Sequence, residues 1–133
     1  MANGTIAFDT LTTSDSANTS TEKSIDPSYI FNGVAKSWVN FDGTGTPAAR
    51  DSFNVASITD GGTGIFTVVL TNAMSTDDYS RTGSAGENAD SGGNRILGLR
   101  VPATSSYNVC TYNTSAGLND NGDNCITVHG DLA

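Results

Sequence analysis

The chain has 133 residues, 36% of them apolar, and a net charge of −8, with its six Lys and Arg scattered singly. That length fits one domain with a modest core. The charge argues against nucleic acid and anionic membrane surfaces as partners, because both would repel an acidic chain.

Thr, Ser, Asn and Gly make up nearly half of the residues. This composition favours turns and exposed strand faces over helices, since Ser and Asn compete with helical hydrogen bonding and Gly carries an entropic cost. Read along the chain, 2–8 alternates weakly, with Ile6 and Phe8 on one face, and is expected to form a first strand. Residues 9–23 are a polar tract without hydrophobic period, expected as a solvated loop or as an arm that orders against a neighbouring subunit. Tyr29, Ile30 and Phe31 follow Pro27 and precede Asn32-Gly33, which reads as a strand ending in a turn.

Residues 33–41 alternate well, with Val34, Lys36, Trp38 and Asn40 on one face and Ala35, Ser37, Val39 and Phe41 on the other. The turn 42–47 ends that strand. A second strand is expected over 52–58, then a hairpin through Asp60-Gly61-Gly62-Thr63-Gly64 into the β-branched run Ile65–Leu70. A turn follows at 72–78, a strand begins at 79–81, and the glycine-rich stretch 83–93 reads as an exposed loop. A strand over 95–101 is broken at 102–105. The last two strands, 107–112 and 125–129, are expected to pair across the loop 113–124. Many short strands separated by turns indicate an all-β antiparallel sandwich, jelly-roll-like, with an N-terminal strand and polar arm over 1–32 and the β domain over 33–133.

No catalytic constellation stands out. Cys110 and Cys125, on strands expected to pair, are read either as a disulfide across the terminal hairpin or as two buried thiols. Two Cys and the single His129 fall short of a tetrahedral zinc site. Asn119, Asp120, Asn121, Gly122 and Asp123 have the oxygen density of a calcium loop but lack the distal Glu of an EF-hand, and turn chemistry accounts for them equally. Asp77, Asp78, Glu87 and Asp90 sit in turns, where solvated carboxylates are the expectation rather than a glycosidase pair. Trp38, Tyr79, Tyr107 and Tyr112 are set down as packing residues in preference to a carbohydrate platform. The candidate exposed binding loops are 83–93, with Glu87, Asn88 and Asp90, and 113–124, with Asn119, Asp120 and Asp123. No cofactor is indicated. The longest apolar stretch, around Ile65–Leu70, is too short to span a bilayer, and the first ten residues lack a secretory signal.

Lys36, Trp38 and Val39, then Gly43, Thr44 and Gly45, form an ordered set. It continues through Ser52, Phe53, Asn54 and Val55, then Ile58, Thr59, Asp60, Gly62, Thr63 and Gly64, and ends at Asn72, Ala73, Met74 and Tyr79. About a third of the chain is covered. This stretch resembles a module of tail-fibre and other virion proteins of tailed bacteriophages, marine ones especially. The resemblance implies a non-enzymatic virion structural protein, made in the bacterial host cytoplasm, with host attachment as its role and a homotrimer as its assembly. Its partners would be copies of itself, other virion proteins and a host surface glycan or protein. Because only a short polar arm precedes the module here, the alternative implied is a capsid decoration protein that stabilises the head. A small carbohydrate-active enzyme is the third reading, without residues to carry it.

Overall fold

The structure, a computed structural model, describes residues 11–12, 24–87 and 95–133. The expected strand around Ile6 and Phe8, most of the polar tract 9–23, and Asn88 and Asp90 lie outside the described residues. The chain divides into two compact units, Met1–Val34 and Ala35–Ala133; the sequence reading put this boundary after residue 32.

In the first unit, β1 (Leu11–Thr12) pairs antiparallel with β2 (Ser24–Ile25), and α1 spans Pro27–Gly33. The strand expected around Tyr29–Phe31 is therefore a short helix. Asp26 caps it by accepting the Ser28 N–H at 2.8 Å, and Pro27 sits in the first turn, where a missing N–H has no helical partner to lose. Hydrogen bonds from the Ser28 hydroxyl and amide hold the Asp26 carboxyl below its ordinary pKa. None of the helix residues is buried, and Tyr29 and Phe31 stand 70% and 64% exposed.

The second unit is all-β. Its strands are β3 (Ser37–Asp42), β4 (Ala48–Phe53), β5 (Val55–Asp60), β6 (Ile65–Leu70), β7 (Ser80–Gly86), β8 (Ile96–Ala103), β9 (Ser106–Tyr112) and β10 (Asp123–His129). They form two antiparallel four-stranded sheets, ordered β4-β3-β10-β7 and β5-β6-β9-β8. The arrangement is sandwich-like, because one core takes side chains from both sheets. Val39, Phe41, Ile126 and Val128 come from the first, and Phe66, Val68, Leu70, Tyr107 and Val109 from the second. Strand alternation produces this directly: β3 buries Ser37, Val39 and Phe41 and turns Trp38, Asn40 and Asp42 outward. Phe41 meets Phe66 edge to face across the core, at 5.2 Å between centroids and 72° between planes.

The hairpin through 61–64 is present, with Gly61 N–H donating to Ile65 C=O and Ile65 N–H to Gly62 C=O. The single strand expected over 52–58 is instead two strands in different sheets, divided at Asn54. That residue has φ +57, a conformation Asn tolerates better than most residues. Its side chain holds the corner: Nδ2 donates to the carbonyls of Lys36 and Asn72, and Oδ1 accepts from the Asn72 amide and side chain. Asn54→Ala should cost about 3 kcal/mol in chemical denaturation, combining lost hydrogen bonds with a strained backbone, and Asn54→Gly about 1 kcal/mol less because only the bonds are lost. Equal losses in the two variants would show that the backbone angle carries no strain.

Three further expectations are corrected. The stretch 83–86 is strand, laddered to β10, rather than loop. A Cβ on Gly83 would lie 2.6 Å from Cys125 C=O and 3.2 Å from Leu97 Cδ2, so glycine here serves close packing rather than a turn. β8 runs on through Pro102 to Ala103, passing a register shift after Arg100 where Val101 adopts φ +39. The last two strands do not pair with each other: β9 lies in one sheet and β10 in the other. Cys110 and Cys125 are accordingly free thiols. Alternation turns each away from the shared core, on opposite outer faces of layers that pack about 10 Å apart, well beyond disulfide reach.

Candidate functional site

The sheet registers bring to one end of the domain the turns 43–47 and 61–64, the loop 113–122, and Gly86 of β7, which stands opposite Asp123 of β10. Within this end the named residues serve chiefly as framework. Asp120 accepts the Gly64 N–H at 2.6 Å, and Asn121 C=O accepts the Gly43 N–H at 3.0 Å, so this loop ties together the turns of both sheets. Asn119 N–H donates to Thr111 C=O, its own C=O accepts the Thr111 hydroxyl, and its Nδ2 donates to Asn121 Oδ1. Asn121 and Asn124 are fully buried. The exposed tip of the loop is 114–118, shaped by Asn113, whose Oδ1 accepts the amides of Ser115 and Gly117.

Arg50 is the electrostatic centre of this end. Its guanidinium reaches Asp42 at 3.1 Å, Asp123 at 3.4 Å, Asn40 Oδ1 at 3.1 Å and the Gly122 carbonyl. Each ion pair is more than a third exposed on at least one side, so its separate contribution is small; the network matters by fixing β4 to the β10 entry. Glu87 pairs with Arg95 across the 87–95 connection. Asp120 and Asp123 each accept protein donors through Oδ1. Among the described residues no group of three or more His, Cys, Asp and Glu is placed to hold a metal. Asp77 and Asp78 are exposed at the opposite end from Glu87, so these carboxylates do not form a pair.

The four aromatic residues considered for a platform are dispersed. Tyr107 is fully buried and Tyr79 is 9% exposed, whereas Trp38 and Tyr112 lie half-buried on different sheets. Tyr79 donates its hydroxyl to the carbonyls of Ala103 and Ser106, and the Arg81 guanidinium lies 5.5 Å from the Tyr79 ring centre and 5.9 Å from that of Tyr107. Burial pushes both phenols up in pKa, with Arg81 opposing the shift in each. The Tyr107 and Ser37 hydroxyls are buried together, and the Ser37 hydroxyl, like Arg81, opposes the upward shift of Tyr107.

A raised folded-state pKa means that the stability from these phenols is complete below the unfolded value of about 10 and lost as pH climbs through the folded values. The melting temperature should therefore hold level up to about pH 10 and fall above it, more shallowly in Tyr107→Phe. That variant should also cost little at pH 7, about 1 kcal/mol or less, since the buried hydroxyl it removes interacts only with the Ser37 hydroxyl. An unchanged alkaline limit would assign the loss to other groups.

The pair that sequence reasoning did not bring together is Trp38 and Phe53. They are directly opposed on β3 and β4, on the outer face of the first sheet, and Phe53 is 53% exposed. In a single strand over 52–58, alternation would place Phe53 on one face with Val55. The only local signal to the contrary was Asn54. His129 is half-buried on this same face, opposite Ser80. Among the described residues no helix is long and apolar enough to cross a membrane. No family model, curated protein or solved structure matches the chain.

Proposed function

We propose that the chain is a non-enzymatic structural protein of a tailed-bacteriophage virion, acting as an exterior tail-fibre or adhesin-like module in host attachment. The observation that carries this reading is the ordered motif set from Lys36 to Tyr79, which resembles the virion module and falls on positions with definite structural duties. Gly43 and Gly64 make close backbone approaches, Asn54 turns the sheet corner, Asp60 accepts the Gly62 N–H, and Met74 and Tyr79 are buried. A rigid β scaffold with its connections gathered at one end also supports a binding role. In this reading the protein resides in the virion as a homotrimer, in contact with other virion proteins. The jelly-roll likeness extends to eight strands in two sheets; β3–β4, β5–β6 and β8–β9 each remain hairpins within one sheet.

The second reading is a capsid decoration protein. It is favoured by the exposed Tyr29 and Phe31 on a helix that buries none of its residues, a feature suited to docking on a shell. Copy number in purified particles, by quantitative mass spectrometry against the major capsid protein, separates the two. A few copies per particle support attachment at the tail. A ratio near that of the capsid protein supports decoration, and absence from particles overturns both.

A further inference from the structure

We propose that the outer face of the β4-β3-β10-β7 sheet, centred on Trp38 and Phe53, is a binding site for an uncharged glycan. This rests on the attachment reading and gives it a site and a ligand class. The registers set Phe53, Trp38, Thr127 and Thr82 in one row across the four strands, with Ser84 in the next row on β7. Two aromatic side chains therefore stand beside a run of hydroxyls on one sheet face. A pyranose ring has matching chemistry: its C–H faces pack on aromatic rings, and its rim hydroxyls exchange hydrogen bonds with Thr and Ser.

The platform is held in place before any ligand arrives. Phe53 is followed by Asn54, whose positive φ and side-chain bonds to Lys36 and Asn72 fix the backbone of both strands immediately beyond the aromatic pair. Preorganised aromatics lose little rotamer freedom on binding. An aromatic residue left 53% exposed on an edge strand is otherwise a liability for association. The charge of the chain, −8, disfavours an anionic polysaccharide; of the neighbouring charges, Arg50, Asp42 and Asp123 are tied to one another, and Lys36 and Asp51, of opposite sign, stand on the same face. The outer face of the other sheet also carries hydroxyls, at Ser57, Thr59, Thr67 and Ser106, but it has a single aromatic, Tyr112, with Ile65, Val69, Ile96 and the cation Arg100 beside them, so it lacks an aromatic pair.

Trp38 is the only tryptophan, so its fluorescence reports directly on the site. The probes are cellohexaose, chitohexaose, mannohexaose and maltohexaose, with hexagalacturonic acid as the anionic comparison. We expect a saturable change in Trp38 emission with at least one neutral hexasaccharide and none with the anionic one. Phe53→Ala should weaken that binding by about tenfold or more while leaving the melting temperature nearly unchanged, because the side chain is exposed. No saturable response to any neutral probe, a response to the anionic probe alone, or undiminished binding by Phe53→Ala would overturn the proposal. Loss of the glycan result with the protein still present on particles leaves the attachment reading standing. Glycan binding by a protein absent from particles would remove that reading and keep the site.

Discussion

Phe66→Ala is expected to lower folding stability by about 3–5 kcal/mol, a large share of what a domain of this size possesses. The ring is fully buried, meets Phe41 edge to face, and bridges the two sheets beneath the 43–47 turn. Its removal leaves a cavity walled by strands that are held by ladders on both sides and cannot close in on the space. The melting temperature should fall by about 12 °C or more, since each kcal/mol is worth several degrees in a domain this small. A coupling test sharpens the result. A Cβ on Gly43 would lie 2.7 Å from Phe66 Cζ, so Gly43→Ala should be less costly in the Phe66→Ala background than alone. Strict additivity would mean that the nearby Asn121 carbonyl, at 2.9 Å, is the controlling contact.

Gly64→Ala should be comparably severe, at about 3–5 kcal/mol, for a different reason. Gly64 has φ +65, and an added Cβ would lie 2.5 Å from the Thr111 carbonyl and 2.7 Å from the Asn119 amide. Both are backbone atoms, which cannot swing aside as a side chain would. The residue also accepts the Thr111 N–H and donates to Asp120, so displacement loosens β6, β9 and the 113–122 loop together. Urea unfolding checks the magnitude. A loss below about 1 kcal/mol would show that the turn can shift without disturbing the loop.

The parts of the fold legible in the sequence were those decided by neighbouring residues. Asp60-Gly61-Gly62-Thr63-Gly64 specifies a hairpin because its glycines supply the required angles and Asp60 satisfies the Gly62 N–H. Long-range pairing was not legible. Alternation continues unbroken through Phe53 and Val55, so nothing but Asn54 marks the change of sheet. The 113–124 connection has the residues of a hairpin loop yet crosses between layers. Around α1 the information was present and was outweighed: Asp26 and Pro27 are helix-start residues, whereas Tyr29, Ile30 and Phe31 have strand propensity. At the candidate site, Asp120 and Asp123 tie the loop to Gly64 and Arg50 through contacts distant in sequence, and the aromatic pair appears only when β3 and β4 are placed side by side.

The central pairing of the first sheet joins β3 to β10, with Trp38 opposite Thr127. During synthesis, β3 and β4 leave the ribosome long before their inner partner exists, and until then the unpaired side of β3 and the apolar faces of both strands remain open. Residues 123–129 therefore act as the closing step, and folding should be slow for the chain's length because so much of the native pairing is distant in sequence. Nascent copies held close together on one message are at greatest risk of pairing with each other in that interval, and a chain cut short before residue 123 would keep that open edge permanently.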